Sequence, residues 1–129
     1  MGKTLFIIYV ANQERSRNFY KSILNKEPVL DVPGMTEFKL SESASLGIMP
    51  EKGAEKLLGD SLPSPASGNG IPRCELYLFV EDPAEAYEQA IRAAGKEISA
   101  PKKRDWGDLV SYAADPDGHI VAFAKPLQN

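Results

Sequence analysis

Few side chains in this 129-residue sequence are equipped for chemistry, and their spacing narrows what that chemistry is. Glu75 lies in Arg73-Cys74-Glu75-Leu76-Tyr77-Leu78-Phe79-Val80, an otherwise largely apolar and aromatic run. Desolvation in such surroundings disfavours a carboxylate anion, which suits a general acid/base or a partner for a cationic ligand. Neutralisation by Arg73 or Lys39 is the structural alternative. Trp106, the only tryptophan, sits in Asp105-Trp106-Gly107-Asp108. An indole beside a flexible backbone is a platform for a planar ligand, and equally an anchor for a hairpin end. Tyr112 carries the same two readings. Met49 lines a pocket or merely fills a gap. His119, the sole histidine, belongs to no nucleophile motif, so Ser-His-Asp chemistry has no support. Cys74, the sole cysteine, is expected to be an inert buried thiol. The glycines at Gly68 and Gly70 fit neither a phosphate loop nor a dinucleotide fingerprint.

The elements that must position these groups are legible from periodicity. Leu5 to Val10 reads as a buried strand. Asn12 caps a helix whose apolar face is Ser16, Phe19, Tyr20, Ile23 and Leu24, and Asn25 ends it in a left-handed conformation. Strands are expected over Pro28 to Val32, Thr36 to Leu40 and Leu46 to Met49. From Glu51 to Pro72 glycine, proline and serine crowd together. That stretch reads as a long connection with one helical turn near Ala54 to Leu58, where Leu57 and Leu58 must find burial.

The opening pattern then returns. Arg73 to Val80 is a strand, and Asp82-Pro83-Ala84-Glu85 is a helix start with a cap, a first-turn proline and a reciprocal Glu. Tyr87, Ala90, Ile91 and Ala94 form its apolar face, and Gly95 ends it. A short strand near Glu97 to Ala100 precedes a hairpin with a five-residue loop, Asp115-Pro116-Asp117-Gly118-His119. There Asp115 bonds its own backbone, Pro116 presets φ and Gly118 permits a positive φ. At an offset of seventy, Val10 falls on Val80 and Asn25-Lys26-Glu27 on Gly95-Lys96-Glu97. The chain is a tandem repeat of strand, helix and three strands, because one such unit cannot bury its sheet face alone.

Bulk properties exclude several classes. A 43% hydrophobic content and a formal net charge of −3 describe one globular domain with no electrostatic footprint for nucleic acid. Lys102-Lys103-Arg104 is offset by Asp105 and Asp108 and reads as a solvated loop. No apolar run approaches the ~20 residues of a membrane span. The start lacks a signal-like cleavage site, and a lone cysteine fits a reducing compartment, so a cytoplasmic location is expected.

The opening strand and helix with Phe19-Tyr20, the second start at Val80-Glu81-Asp82, and Asp115-Pro116-Asp117-Gly118-His119 resemble the vicinal oxygen chelate superfamily. That group includes glyoxalase I, bleomycin-resistance proteins and extradiol dioxygenases. The resemblance implies an α+β fold of two tandem βαβββ modules curling a mixed sheet around a shared cavity. The single domain spans residues 1–129, with module one about 1–50, a connection about 51–72 and module two about 73–129. It also implies a homodimer. Metal ligands in the family come from four equivalent positions, which fall on Leu5, Leu46, Glu75 and Ala122. Three of these are hydrocarbon, and one carboxylate is too few to hold a divalent ion, so no metal and no cofactor are expected.

Strand alternation places Arg73, Glu75, Tyr77 and Phe79 toward the cavity, and Cys74, Leu76, Leu78 and Val80 under the helices. The expected ligand-binding set is Tyr9, Met49, Glu75, Tyr77, Phe79, Trp106 and Tyr112, with Glu75 the one catalytic candidate. Two functions stay open. One is a metal-free binder of a small organic molecule, acting by sequestration or carriage. The other is a glyoxalase-like lyase or related enzyme, either metal-dependent or using Glu75 as general base.

Overall fold

The computed structural model describes residues 2–128. The chain divides into two compact units between Asn69 and Gly70.

In the first unit, strand β1 (Thr4–Val10) leads to helix α1 (Gln13–Leu24), then β2 (Leu30–Val32), β3 (Met35–Ser41) and β4 (Ala44–Pro50). The sheet order is β1-β4-β3-β2, with β1 and β4 parallel and the other pairs antiparallel. Asn12 starts α1 by accepting from Arg15 N at 2.9 Å. Ser16, Phe19 and Tyr20 of α1 are buried, as the helical spacing requires, together with Ile8, Val10, Phe38, Leu46 and Ile48 of the sheet. Each fully buried Phe contributes about 1.5–3 kcal/mol over its exposed state. Asn25 takes the left-handed conformation expected of it, at φ 53. The strand expected over Pro28 to Val32 shortens to its last three residues. Gln13 braces the following turn, donating to Val32 O and Thr36 Oγ1 and accepting from Gly34 N.

The connection is more ordered than its composition suggests. Glu51–Leu58 forms a helix, α2, of two turns, and Pro65–Gly68 a 3-10 turn capped by Ser64. The burial expected of Leu57 does not occur. It is 76% exposed, because α2 turns Ala54 to the interior instead.

The second unit repeats the first: β5 (Glu75–Phe79), helix α3 (Pro83–Arg92), β6 (Lys96–Lys103), β7 (Asp108–Ala114) and β8 (Ile120–Pro126), in the order β5-β8-β7-β6. Asp82 caps α3 through Ala84 N and Glu85 N, seventy residues after the Asn12 cap. Glu85 does not reach back to the cap; its carboxylate accepts from Arg92 at 2.8 Å. The helix also ends earlier than expected. Ala94, not Gly95, takes the positive φ of 77, and Gly95 N closes the turn on Ala90 O. Tyr87 and Ala90 of α3 are buried with Ala113, Val121 and Phe123, and Ser111 Oγ donates to Pro83 O at 2.9 Å. This fixes one face of the second sheet as the helix side.

The hairpin loop is the five residues predicted. Asp115 Oδ1 accepts from Asp117 N and His119 N, and Gly118 has φ 90. A Cβ on Gly118 would fall 2.5 Å from Gly70 O, so the tip lies against the chain leading into β5.

Candidate functional site

Register defines the other face of the second sheet. Tyr77 on β5 is opposite Ala122 on β8, which is opposite Tyr112 on β7, which is opposite Ser99 on β6. The neighbouring row runs Phe79, Ala124, Val110 and Lys102. Val110, Ala122 and Ala124 are buried, and Tyr77 and Tyr112 pack against them. Alternation along β7 sets Asp108, Val110 and Tyr112 on this face and Leu109 and Ser111 on the helix side.

The phenol of Tyr77 crosses β8 to reach β7. Its Oη donates to Asp108 Oδ2 at 2.6 Å and accepts from Trp106 Nε1 at 2.9 Å. A bond of that length to a carboxylate is charge-assisted, stronger than a neutral pair. Small residues on β8 make the crossing possible, since a larger side chain at Ala122 or Ala124 would occupy the space of the ring. Phe79 packs edge-on to Tyr77 at 5.4 Å between centroids. Trp106 and Phe79 remain 60% and 64% exposed, so two large aromatic surfaces border this face without being consumed by the core. Trp106 is tethered by its N–H, and its ring is largely free.

At the β6 edge, the Arg104 guanidinium lies 5.0 Å from the centroid of the Tyr112 ring. Its Nη2 donates to Ser99 Oγ at 2.8 Å and Val110 O at 3.0 Å. The expectation of a solvated Lys102-Lys103-Arg104 loop thus fails: Lys102 and Lys103 are exposed but belong to β6, and Arg104 is half-buried. The backbone of Arg104 is held by Asp108 O and Gly107 N, and this turn directs the side chain back over the sheet. Both phenols are held above the ordinary tyrosine range. For Tyr77 the causes are burial, then the Asp108 carboxylate, opposed by the Trp106 bond. For Tyr112 they are burial, then Glu75, opposed by Arg104.

Tyr77, Phe79, Trp106 and Tyr112 share this region; alternation along β5 had grouped only Tyr77 and Phe79 of these. Glu75 belongs to the same strand face but is exposed, and it lacks the burial on which an acid/base role was premised. Among the described residues neither Arg73 nor Lys39 pairs with it, and Lys39 faces Glu42 instead at 3.5 Å. Tyr9 and Met49 lie in the first unit as register partners on β1 and β4. Asp108 and Arg104 were missed. Counting back by twos from Tyr112 reaches Asp108, so the signal was present; Arg104 follows only from the turn.

His119 is buried, with Nδ1 3.6 Å from Cys74 Sγ. Cys74 is half-buried, and its thiol is pushed up by desolvation first and by Asp115 second. A thiol so disposed is a poor nucleophile.

Register also corrects one family metal position. Ala122 pairs with Tyr77, and the equivalent pair in the first unit is Gly47 with Ile7. Leu46 instead is buried in the layer with Phe38 and Ile48 beneath α1. At these places the first sheet has Leu5 and Gly47, neither with a donor side chain, and the second has Glu75 and Ala122, with one carboxylate. The Tyr77 ring packs on Ala122, where a ligand side chain would stand. These residues do not fit the family's metal.

A family model described as a glyoxalase-like domain matches residues 3–128. The chain belongs to that family, within the glyoxalase, bleomycin-resistance and dioxygenase superfamily. It is 29% identical over 123 residues to the phenazine antibiotic resistance protein EhpR of Enterobacter agglomerans, covering 91% of this chain and 86% of that one. Among solved structures it resembles a glyoxalase-related enzyme from Fulvimarina pelagi, with TM-score 0.80 and 21% identity over 95% of this chain and 86% of the other. A glyoxalase/bleomycin resistance protein/dioxygenase family enzyme from Burkholderia phytofirmans matches equally well, with TM-score 0.80 and 16% identity over 98% and 100%. The two structural likenesses establish the fold.

Proposed function

We propose that the protein binds a planar aromatic small molecule against the Tyr77–Trp106–Tyr112 face of its second unit and acts by sequestration or carriage. One observation carries the reading: Trp106 is tethered by its N–H to Tyr77 while its ring stays 60% exposed. Fixing an aromatic surface in place lowers the ordering cost of stacking on it. A stacked pair is worth about 0.5–1.5 kcal/mol beyond the area it buries. The similarity to a phenazine antibiotic resistance protein supports the choice of ligand class, a phenazine being a flat fused-ring heterocycle. Trp106 is the only tryptophan, so its fluorescence reports on this face alone. Titration with a phenazine is expected to quench that emission saturably and raise the Tm. Replacing Trp106 with Ala should weaken binding about tenfold or more, as measured by calorimetry. Absence of any quenching or thermal shift across a panel of planar heterocycles would remove the proposal.

A second reading rests on Glu75, a carboxylate on the same strand face without a cationic partner among the described residues. As a general base it would abstract a proton beside a carbonyl of a bound ligand. Glu75→Gln separates the two: a base loses turnover while binding survives, whereas a binder without catalysis has no turnover to lose.

A further inference from the structure

We infer that Arg104 selects an anionic ligand, a planar aromatic molecule bearing a carboxylate, and that it sets the orientation of that ligand on the sheet. The inference rests on the binding face proposed above and names the class of molecule that face takes.

Arg104 is a half-buried cation without a counter-ion among the described residues. Among the described residues no carboxylate lies within 4.0 Å of it, and its hydrogen bonds run from Nη2 to two neutral oxygens. Nε is buried without any acceptor. Other arginines of this chain behave differently: Arg17 pairs with Asp31 at 3.1 Å and Arg92 with Glu85 at 2.8 Å. A partly desolvated guanidinium without an anion is unfavourable, and the Tyr112 π-face offsets only part of that. The one acid on this face of β7, Asp108, has its oxygen bonded to Tyr77 and does not neutralise the arginine.

A purely structural role explains less. Holding the irregular edge strand β6 against β7 needs the Ser99 and Val110 bonds, and one nitrogen supplies both. The positive charge and the remaining N–H groups are surplus to that task. The guanidinium stands beside the Tyr112 ring, where a ligand carboxylate would meet its charge and the Nη1 N–H groups, Nε itself being buried.

The charges are also separated across the sheet. On this face β6 carries Lys96 and Lys102 ahead of Arg104, its acid Glu97 being on the helix side, while the opposite edge strand, β5, begins at Glu75. Tyr112, on β7 between these edges, registers both: Glu75 and Arg104 act on its phenol in opposite senses. A ring system lying across the row from Tyr77 to Tyr112 would therefore turn its acid group to β6. The reverse placement would bring two carboxylates together.

The test uses two probes of matching shape, a phenazine carboxylate and its methyl ester, titrated by Trp106 fluorescence and calorimetry. The full chain should bind the acid about tenfold more tightly than the ester, with the difference shrinking as salt rises. Arg104→Gln should abolish the preference, bringing the ratio of acid to ester affinity to about one; Arg104→Lys should keep part of it. Equal affinity of acid and ester in the unaltered protein overturns the inference and leaves the proposed binding function standing, and that comparison needs no variant to fold. A preference that persists in Arg104→Gln, or an equal loss for both probes, also overturns it and assigns Arg104 a structural role. Failure of both probes to bind the unaltered protein removes the proposed function and this inference together.

Discussion

Tyr77 Oη lies 2.6 Å from Asp108 Oδ2, although their strands are not neighbours and β8 runs between them. The phenol bridges the sheet over two alanines and in doing so holds Trp106 by its indole N–H. The candidate site is thus a tethered arrangement, and the predictions follow from what each part of the tether supports.

Replacing Tyr77 with Phe keeps the ring but removes both hydrogen bonds. Asp108 and Trp106 Nε1 lose their partner, and urea denaturation should show a loss of about 1–2 kcal/mol. Trp106 should also become more mobile, read as lower fluorescence anisotropy and weaker binding of a planar ligand.

Ala122 is fully buried beneath the two tyrosines. Ala122→Leu overfills that space and displaces Tyr77, at about 1–3 kcal/mol. The expected result is a lower Tm with a red-shifted Trp106 emission, because an indole released from Tyr77 turns further into water. Unchanged emission would mean that Tyr77 does not depend on this small residue.

Two glycines separate conformation from space. Gly107 has φ 96 with nothing within 4 Å of an added Cβ, while Gly118 has φ 90 and a Cβ there would meet Gly70 O at 2.5 Å. Gly107→Ala should cost about 1–2 kcal/mol from left-handed strain alone. Gly118→Ala should cost more, since backbone atoms must also part. Matched thermal denaturation curves check the order.

Alkaline pH should weaken the fold. Tyr77, Tyr87 and Tyr112 are all raised, in each case by burial first. A phenol with a raised folded-state pKa contributes stability that is complete below its unfolded value of about 10 and is lost as pH climbs toward the folded value. Unfolding midpoints should hold up to about pH 10 and fall above it. Tyr77→Phe should show a shallower fall.

Much of the fold was legible because it depends on local signals repeated twice. Asn12 and Asp82, at equivalent places, are both helix caps, and the Asp115 turn closes through its own side chain. The errors were also local in origin. Ala94 rather than Gly95 turns left-handed, since the helix ends where its hydrogen bonds stop and not where the most permissive residue stands. Leu57 stays exposed because hydrophobicity alone does not choose which side of α2 faces the interior.

The candidate site was half legible. Period-two alternation placed Tyr77 and Phe79 on one face, and Ala122 announced a missing ligand side chain. Glu75 drew attention as a carboxylate among aromatics, yet it lies at the exposed end of its strand. The family resemblance put one ligand position on Leu46 where hydrogen-bond register chooses Gly47; a slip of one residue reverses the face of a strand.

By itself the sequence determined the duplicated strand-helix-strand pattern, its caps and its closing turn, because backbone preferences and hydrophobic period act between near neighbours. Only the tertiary structure decided that Tyr77 spans a strand to Asp108 and that Arg104 turns from its lysine neighbours onto Tyr112. Those contacts join residues eight to thirty-one positions apart. Their geometry is set by strand order and turn direction, which no local pattern encodes.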